Sequence, residues 1–389
     1  MARVLRGVKP VGLLIAALCA CLGAAGAWAE VLRVGPGEAH KRPSEAASVA
    51  SDGDVIEIQA GTYAGDAAVW RQNDLTIRGV GGLARLVAQG SAAQGKGIWV
   101  IKGNNTVVEN IHFEGAAVAD GNGAGIRQEG ANLTVRNCRF VGNENGILAG
   151  ENAASTIVVE NSEFAGNGAG DGYTHNLYIG QVKRFVMRFS YSHHAHVGHQ
   201  VKSRAVVNEI MYNRLMDESD GDASYIVDIS NGGRAHLIGN LIQQGPKAEN
   251  WALVSYAAEG NVHRAASELV ILHNTFVNAR GDGIFVANRD AGVKAWVLNN
   301  VFSGSGAVVQ GPAEMRGNLV TRRAPGFVDP GRFDYRLQAG SPAIGRGVDP
   351  SRFGVRLRAE HEYRHVADRT PRPMRERIDA GAYQFSPAD

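Results

Sequence analysis

One phrase recurs along this chain: a run of β-branched or aliphatic residues, an asparagine, an aromatic or aliphatic residue, then a small polar turn. It reads TVVENIHFEG, LTVRNCRFVGN, TIVVENSEFAGN, NEIMYNRLMDE, AHLIGNLIQQG, LVILHNTFVNA and AWVLNNVFSGS. Asn110, Asn137, Asn161, Asn213, Asn240, Asn274 and Asn300 thereby stand at equivalent points, with Ser190 of RFVMRFSYS in the one missing place. Successive spacings of 23 to 34 residues are those of a solenoid. A shorter apolar strand lies between the phrases, as in NGILAG, HNLYIG, GHQVKS, SYIVDIS, WALVSY, DGIFVA and GAVVQG. The expected fold is all-β, a right-handed parallel β-helix of about ten rungs. Stacked asparagines at a tight turn bond along the column and tolerate left-handed backbone, so the ladder is assigned to structure.

The remaining chain divides around this coil. Residues 1–29 run from Arg3, Arg6 and Lys9 through an apolar span to Ala27-Trp28-Ala29, the pattern of a cleaved secretory signal. Leu18-Cys19-Ala20-Cys21 offers lipoprotein processing at Cys21 as the alternative. A secreted or periplasmic location is expected, and no later stretch is long and apolar enough for a membrane span. The coil is assigned to residues 30–350, entered through a short capping helix around Ser44 to Ala50. Residues 351–389 form a basic arm and closing strand, with eight arginines against four acids over 352–377. That arm is either an exposed loop or a segment folded back toward an acidic ligand.

Removing residues 1–29 takes the formal net charge from +2 to about −1, which gives no global attraction to nucleic acid. Cys138 is the only cysteine beyond the signal, so an internal disulfide is excluded and packing alone must stabilise the coil. The chain is expected to act as a monomer.

The stretch SYSHHAHVGHQVKSR, residues 190–204, puts four histidines, a lysine and an arginine into fifteen residues. If GHQVKS and HNLYIG are successive rungs, His175, Asn176 and Tyr178 stack about 4.8 Å from His199 and Lys202. Alternation turns Leu177, Ile179 and Val201 inward and Asn176, Tyr178, Gln200, Lys202 and Arg204 outward. The next rung adds Asp228 and Arg234, with either Tyr225 or Asp228 standing over Lys202. His199, Lys202, His175, Tyr178 and Arg204 are the catalytic candidates. Asn176, Asp228, Arg234 and His196 are the substrate-binding ones.

Zinc is a poor explanation of the histidines, because positions 193, 194, 196 and 199 lack an i, i+4 pair and alternation separates 193 from 194. Calcium is the more plausible metal. Asp217, Asp220 and Asp222 of DESDGD form a glycine-bearing acidic run, although a full EF-hand loop would need a glutamate at its twelfth position. No cofactor is certain on this reading.

The coil resembles the secreted pectate-lyase-like β-helix enzymes over nearly its whole length. Its stretch VKSRAVVNEIMYNRLMDESDGDASYIVDISNGGRAHLIGNLIQQG resembles the core of the chondroitinase B and alginate lyase family. That resemblance implies an acidic polysaccharide substrate and makes Lys202 the match to the catalytic base. Two departures accompany it. Ala195, His196 and Val197 stand where the family carries acidic calcium ligands, and Asp228 stands where its catalytic arginine comes. His199, His175, Tyr178 or Arg204 would then fill the vacated roles.

The function expected is a polysaccharide lyase that cleaves a uronate-containing glycan by β-elimination. Arg204, Arg234 or a bound cation would stabilise the charge developing on the carboxylate. Lys202, kept partly neutral by positive neighbours, or His199 would remove the C5 proton, and Tyr178 or His175 would protonate the leaving oxygen. Two alternatives stay open: a glycoside hydrolase using Asp228 with Asp217 or Glu218, and a glycan-binding or cell-surface solenoid without catalysis.

Overall fold

A computed structural model describes residues 29–387, together with Met1, Ala2 and Gly7. Most of the expected signal segment, Cys21 included, lies outside the described residues. Most turns of the coil contribute three short strands, paired in parallel with their equivalents in neighbouring turns, while Val55–Ala64 and Thr76–Val87 run through the first two columns as single strands. Among the described residues, twenty-one strands fill two adjacent columns and ten fill the third. One turn runs through Leu133–Arg136 in the first column, Arg139–Val141 in the second and Asn145–Ala149 in the third. This is the right-handed parallel β-helix that the repeating phrase predicts.

Inward side chains stack turn upon turn. Phe113, Phe140 and Phe164 lie face to face, with centroids 4.9 and 4.7 Å apart, and Trp70 and Trp99 extend the stack edge-on. Gly125 is required beside that stack, because a Cβ there would meet the Phe140 ring at 2.8 Å. The helix Pro43–Val49 closes the first turn, burying Pro43, Ala46 and Ala47. Asp66 fixes its start by accepting from the Ser44 backbone N–H at 3.1 Å and from its hydroxyl at 2.5 Å.

The asparagine ladder is real but carries a one-residue offset. The corner between the first two columns turns on a left-handed residue followed by an inward one. Asn110, Asn137 and Asn161 are the left-handed residues of their turns, at φ of 59°, 48° and 48°. From residue 189 onward that role passes to Phe189, Tyr212, Gly239, His273 and Asn299. The inward place belongs to Cys138, Ser162, Ser190, Asn213, Asn240, Asn274, Asn300 and Asn318, all buried. Each of Asn213, Asn240, Asn274 and Asn300 donates its amide to the next asparagine's Oδ1 at 2.9–3.0 Å. The same amides also donate to backbone carbonyls of the turn below, such as Leu237 at 2.8 Å from Asn274. The seven asparagines are therefore two sets, which the shared motif conceals because both positions favour asparagine for different reasons.

A second buried ladder runs along the corner between the second and third columns, through Asn143, Asn167, Asn176, Gln200 and Asp217. Asparagine and glutamine each donate on one side and accept on the other. The last member must accept from both sides, and Asp217 does so, from Gln200 Nε2 at 3.0 Å and the Gly245 N–H at 3.1 Å. Burial pushes its carboxyl up to about 7.

The parallel coil ends with Leu319–Thr321, and the antiparallel pair Phe327–Asp329 and Asp334–Leu337 follows. The basic arm then folds back along the corner of the first two columns. Val348 exchanges two hydrogen bonds with the Asn299 amide, the Glu360 N–H donates to Tyr212, and Asn161 donates to the Ala367 carbonyl. These partners, Asn299, Tyr212 and Asn161, are left-handed corner residues. The segment IDAGAYQF forms no strand, and it buries Ala380 and Ala382 against the second column.

The offset separates two substitutions. Asn274→Ala strips buried partners from the Asn240 N–H and the Leu237 carbonyl. It should cost about 3 kcal/mol or more in denaturant unfolding. Asn137→Gly keeps its left-handed backbone and should stay within about 0.5 kcal/mol of the parent.

Candidate active site

The third column fixes the outward stack by its register. Tyr178 pairs with Lys202, and Lys202 with Asp228. Alternation sends Leu177, Ile179, Val201, Val227 and Ile229 into the core, so the three polar side chains between them share the outer face. His175 and His199 precede their strands at the same height. Arg204 follows Val201–Ser203, and Glu259 follows Ala252–Tyr256 two turns above Lys202.

These groups form one network. The Lys202 ammonium lies 3.1 Å from Asp228 Oδ2 and 2.9 Å from Glu259 Oε1. Arg204 donates to the Tyr178 hydroxyl at 2.8 Å and to Asn231 at 2.9 Å, and lies 2.6 Å from Glu259 Oε2. Ser230 donates to Asp228 Oδ2 at 2.6 Å, while Asp228 Oδ1 is buried without a hydrogen-bond partner. His175 stacks on Tyr178 with centroids 5.7 Å apart, and Tyr225 leans against His199.

Hydrogen bonding sets the histidine tautomers. The His199 backbone N–H donates to His175 Nδ1 at 3.1 Å, so that nitrogen is an acceptor. His199 Nδ1, 3.0 Å from the same atom, must then carry the proton and donate. His199 Nε2 is left with a free lone pair, 3.8 Å from Asp228 Oδ2.

Burial and charge divide the titratable groups. Burial, helped by the Lys202 charge, pushes His199 down to about 3. Burial together with His199 and Lys202 holds His175 well below the usual histidine value. Both imidazoles are neutral at physiological pH. Burial acts to lower Lys202 as well, but Asp228 and Glu259 outweigh it and hold the ammonium above the ordinary lysine range. The expectation of positive neighbours keeping Lys202 partly neutral therefore meets the opposite environment. Elsewhere on the coil, ion pairs such as Arg136 with Glu160 also stack across turns, but their arginines are about half exposed. Lys202 and Asp228 retain only 12% and 2% side-chain exposure, so their pairing is much less screened by water.

The structure thus brings together His175, Tyr178, His199, Lys202, Arg204 and Asp228, and settles that Asp228 rather than Tyr225 stands over Lys202. Other candidates lie apart. Asn176 and Gln200, expected outward, point inward as members of the second ladder. Both precede their strands, at Leu177 and Val201, so the alternation rule does not reach them. Arg234 belongs to the first column and pairs with Glu268 at 3.4 Å. His196 is an exposed turn residue 2.9 Å from Asp222. Sequence reasoning missed Glu259, Asn231 and Ser230. Glu259 sits 57 residues from Lys202 in the loop after WALVSY, and uneven turn lengths hide its height.

The calcium reading does not fit these residues. Both Asp217 oxygens are engaged in the ladder, Asp220 faces His194 at 3.1 Å, and Asp222 faces His196 and the Val197 N–H. Among the described residues, no three histidine, cysteine or acidic side chains gather in a metal-holding group.

Comparison with known proteins agrees on the class of fold. A family model for the right-handed β-helix region matches residues 71–180. The crystal structure of pectate lyase Pel9A superposes with a TM-score of 0.62 at 13% identity, over 92% of this chain and 96% of that one. Pectin methylesterase PemA from Erwinia chrysanthemi gives 0.40 at 12% identity, over 55% of this chain and 78% of its own. The PL6 family alginate lyase AlyGC gives 0.35 at 17%, over 75% and 39%. At such identities the Pel9A likeness speaks for the fold alone, and the two lower scores add nothing to it. No curated protein matches the chain in sequence. Among the described residues, no helix is long and apolar enough to cross a membrane.

The buried histidines make stability depend on pH. An unfolded histidine takes up a proton below about 6.5, whereas folded His199 refuses it until about 3. Protons therefore favour unfolding across that window, and stability falls as pH falls. His199→Gln should reduce the acid-induced loss by about 1.4 kcal/mol per pH unit between pH 6 and 4. Denaturant midpoints at several pH values check this, and equal slopes for the two proteins would contradict it.

Proposed function

We propose that this chain is a secreted polysaccharide lyase that cleaves a uronate-containing glycan by β-elimination on the outer face of the third column. The observation carrying this reading is a neutral imidazole with a free nitrogen, His199 Nε2, close enough to feel the Lys202 charge, with Glu259 bridging Lys202 to a second cation, Arg204. Elimination from a uronate needs both a base and positive charge, since the C5 proton becomes acidic only when the neighbouring carboxylate is neutralised.

The geometry supports the following assignment of roles. Lys202 and Arg204 hold the uronate carboxylate and stabilise the charge that builds on it as C5 loses its proton. Because two carboxylates keep Lys202 charged, the base role falls to His199 Nε2. Burial makes that imidazole a weak base in the free chain, so Asp228 Oδ2 at 3.8 Å would have to stabilise the imidazolium as it forms. The electron pair forms the C4–C5 double bond, and the C4–oxygen bond breaks. Tyr178 accepts from Arg204 at its oxygen, which leaves its O–H free to donate to the departing oxygen. The Tyr178 and Tyr225 rings offer apolar faces to a pyranose.

Hydrolysis by Asp228 with Asp217 or Glu218 finds less support. Asp217 is locked in the buried ladder, and Glu218 is bound by Tyr191 and Arg214 on the second column. A purely binding solenoid remains the rival that an assay must separate.

Purified protein should raise ultraviolet absorbance on one or more of alginate, pectate, glucuronan or a glycosaminoglycan, as an unsaturated sugar forms. His199→Gln, Lys202→Ala and Tyr178→Phe should each lower that rate by about 10²–10⁴ while leaving the circular dichroism spectrum unchanged. Saturable binding with no product on prolonged incubation would reject the lyase, and new reducing ends without absorbance would indicate hydrolysis.

A further inference from the structure

The proposed mechanism gives Glu259 no chemical step, yet this residue occupies a telling position. Its two carboxylate oxygens are divided between the two cations, Oε1 at 2.9 Å from Lys202 and Oε2 at 2.6 Å from Arg204. That is the bridging geometry a free carboxylate would adopt on the same pair. Glu259 is also the exposed member of the network: its side chain is 42% accessible, against 12% for Lys202, 19% for Arg204 and 2% for Asp228.

The backbone beneath Glu259 is anchored, so its side chain alone can leave. The Glu259 N–H donates to the Ser230 carbonyl at 3.0 Å, and the Ala257 N–H to the Ile229 carbonyl at 2.8 Å. Both cations stay in place without it. Lys202 keeps Asp228, and Arg204 keeps Tyr178 and Asn231. The charges give the same answer. Lys202 and Arg204 balance Asp228 and Glu259, so an anion added beside a seated Glu259 would face an excess of negative charge. One that replaces Glu259 restores the balance.

We infer that Lys202 and Arg204 form a preformed carboxylate-binding subsite, that Glu259 is its resident occupant in the free chain, and that the carboxylate of an acidic sugar binds by taking Glu259's place. The inference rests on the proposed function only for the identity of the ligand as a uronate. Glu259 acts as a tethered competitor, which weakens apparent affinity by a factor set by its effective concentration. Neutral sugars gain nothing from displacing it, so it favours ligands whose charge can substitute for its own.

Calorimetric titration of the full chain with monomeric glucuronate, with glucose as the neutral control, tests this. Glu259→Ala and Glu259→Gln should each bind glucuronate at least about tenfold tighter than the parent, with glucose binding and melting temperature unchanged. Adding Arg204→Ala to either variant should abolish the gain. In the unsubstituted protein, saturating glucuronate should move the Glu259 carboxylate ¹³C resonance toward that of a solvated glutamate, a readout that needs no variant to fold. Unchanged or weaker affinity in both variants, or a resonance that glucuronate does not move, would overturn the inference. Tighter binding without unsaturated product from any polymer would leave this subsite standing and remove the lyase. Product formation with unchanged uronate affinity would do the reverse.

Discussion

Everything on the outer surface of this coil depends on the register in which one turn sits on the next. Side chains alternate with a period of two, so a slip of one residue would turn Lys202 into the core and Val201 out of it. Hydrophobic stacking opposes such slips but is tolerant of sliding. The buried ladders are not. Asn213, Asn240, Asn274, Asn300 and Asn318 bond amide to carbonyl through five turns, and any shift leaves several buried polar groups unpaired at once. The second ladder passes through Asn176 and Gln200, immediately ahead of the strands that carry Tyr178 and Lys202. Structural asparagines thus place the chemical groups one strand spacing apart.

The same burial that fixes position also divides chemical labour. Within a few ångströms the environment keeps two imidazoles neutral and one ammonium charged, and the difference lies in the partners each group has. His175 and His199 face one another and the lysine, whereas Lys202 faces Asp228 and Glu259. In the proposed elimination the charged lysine would hold the carboxylate and the unprotonated histidine would offer its lone pair. The basic arm takes no part in this network, because its bonds fall along the corner of the first two columns. Of its arginines, Arg369 lies over the Phe189 ring and Arg372 beside His273 at that corner.

The fold was legible because a repeating phrase records periodicity directly, and the dense histidine segment marked the turn on which the site stands. What could not be read follows from physical limits of the pattern. The motif could not distinguish the left-handed asparagines 110, 137 and 161 from the inward ones at 213 onward, since both lie at the same corner. Alternation predicted Tyr178 and Lys202 correctly because they lie within strands, and failed for Asn176 and Gln200 because they lie just before them. Glu259 was invisible, since turn lengths vary and a glutamate in a loop carries no signal of what it faces. The sign of the environment around Lys202 was likewise unreadable, because it depends on that same glutamate and on a register that sequence leaves open.

A crystal structure with an acidic oligosaccharide bound tests the central claim most directly. A uronate carboxylate should lie between Lys202 and Arg204, its ring over the third column, with C5 within reach of His199 Nε2. A glycan lodged along another face, with the His175, His199, Lys202 and Arg204 network undisturbed, would contradict it.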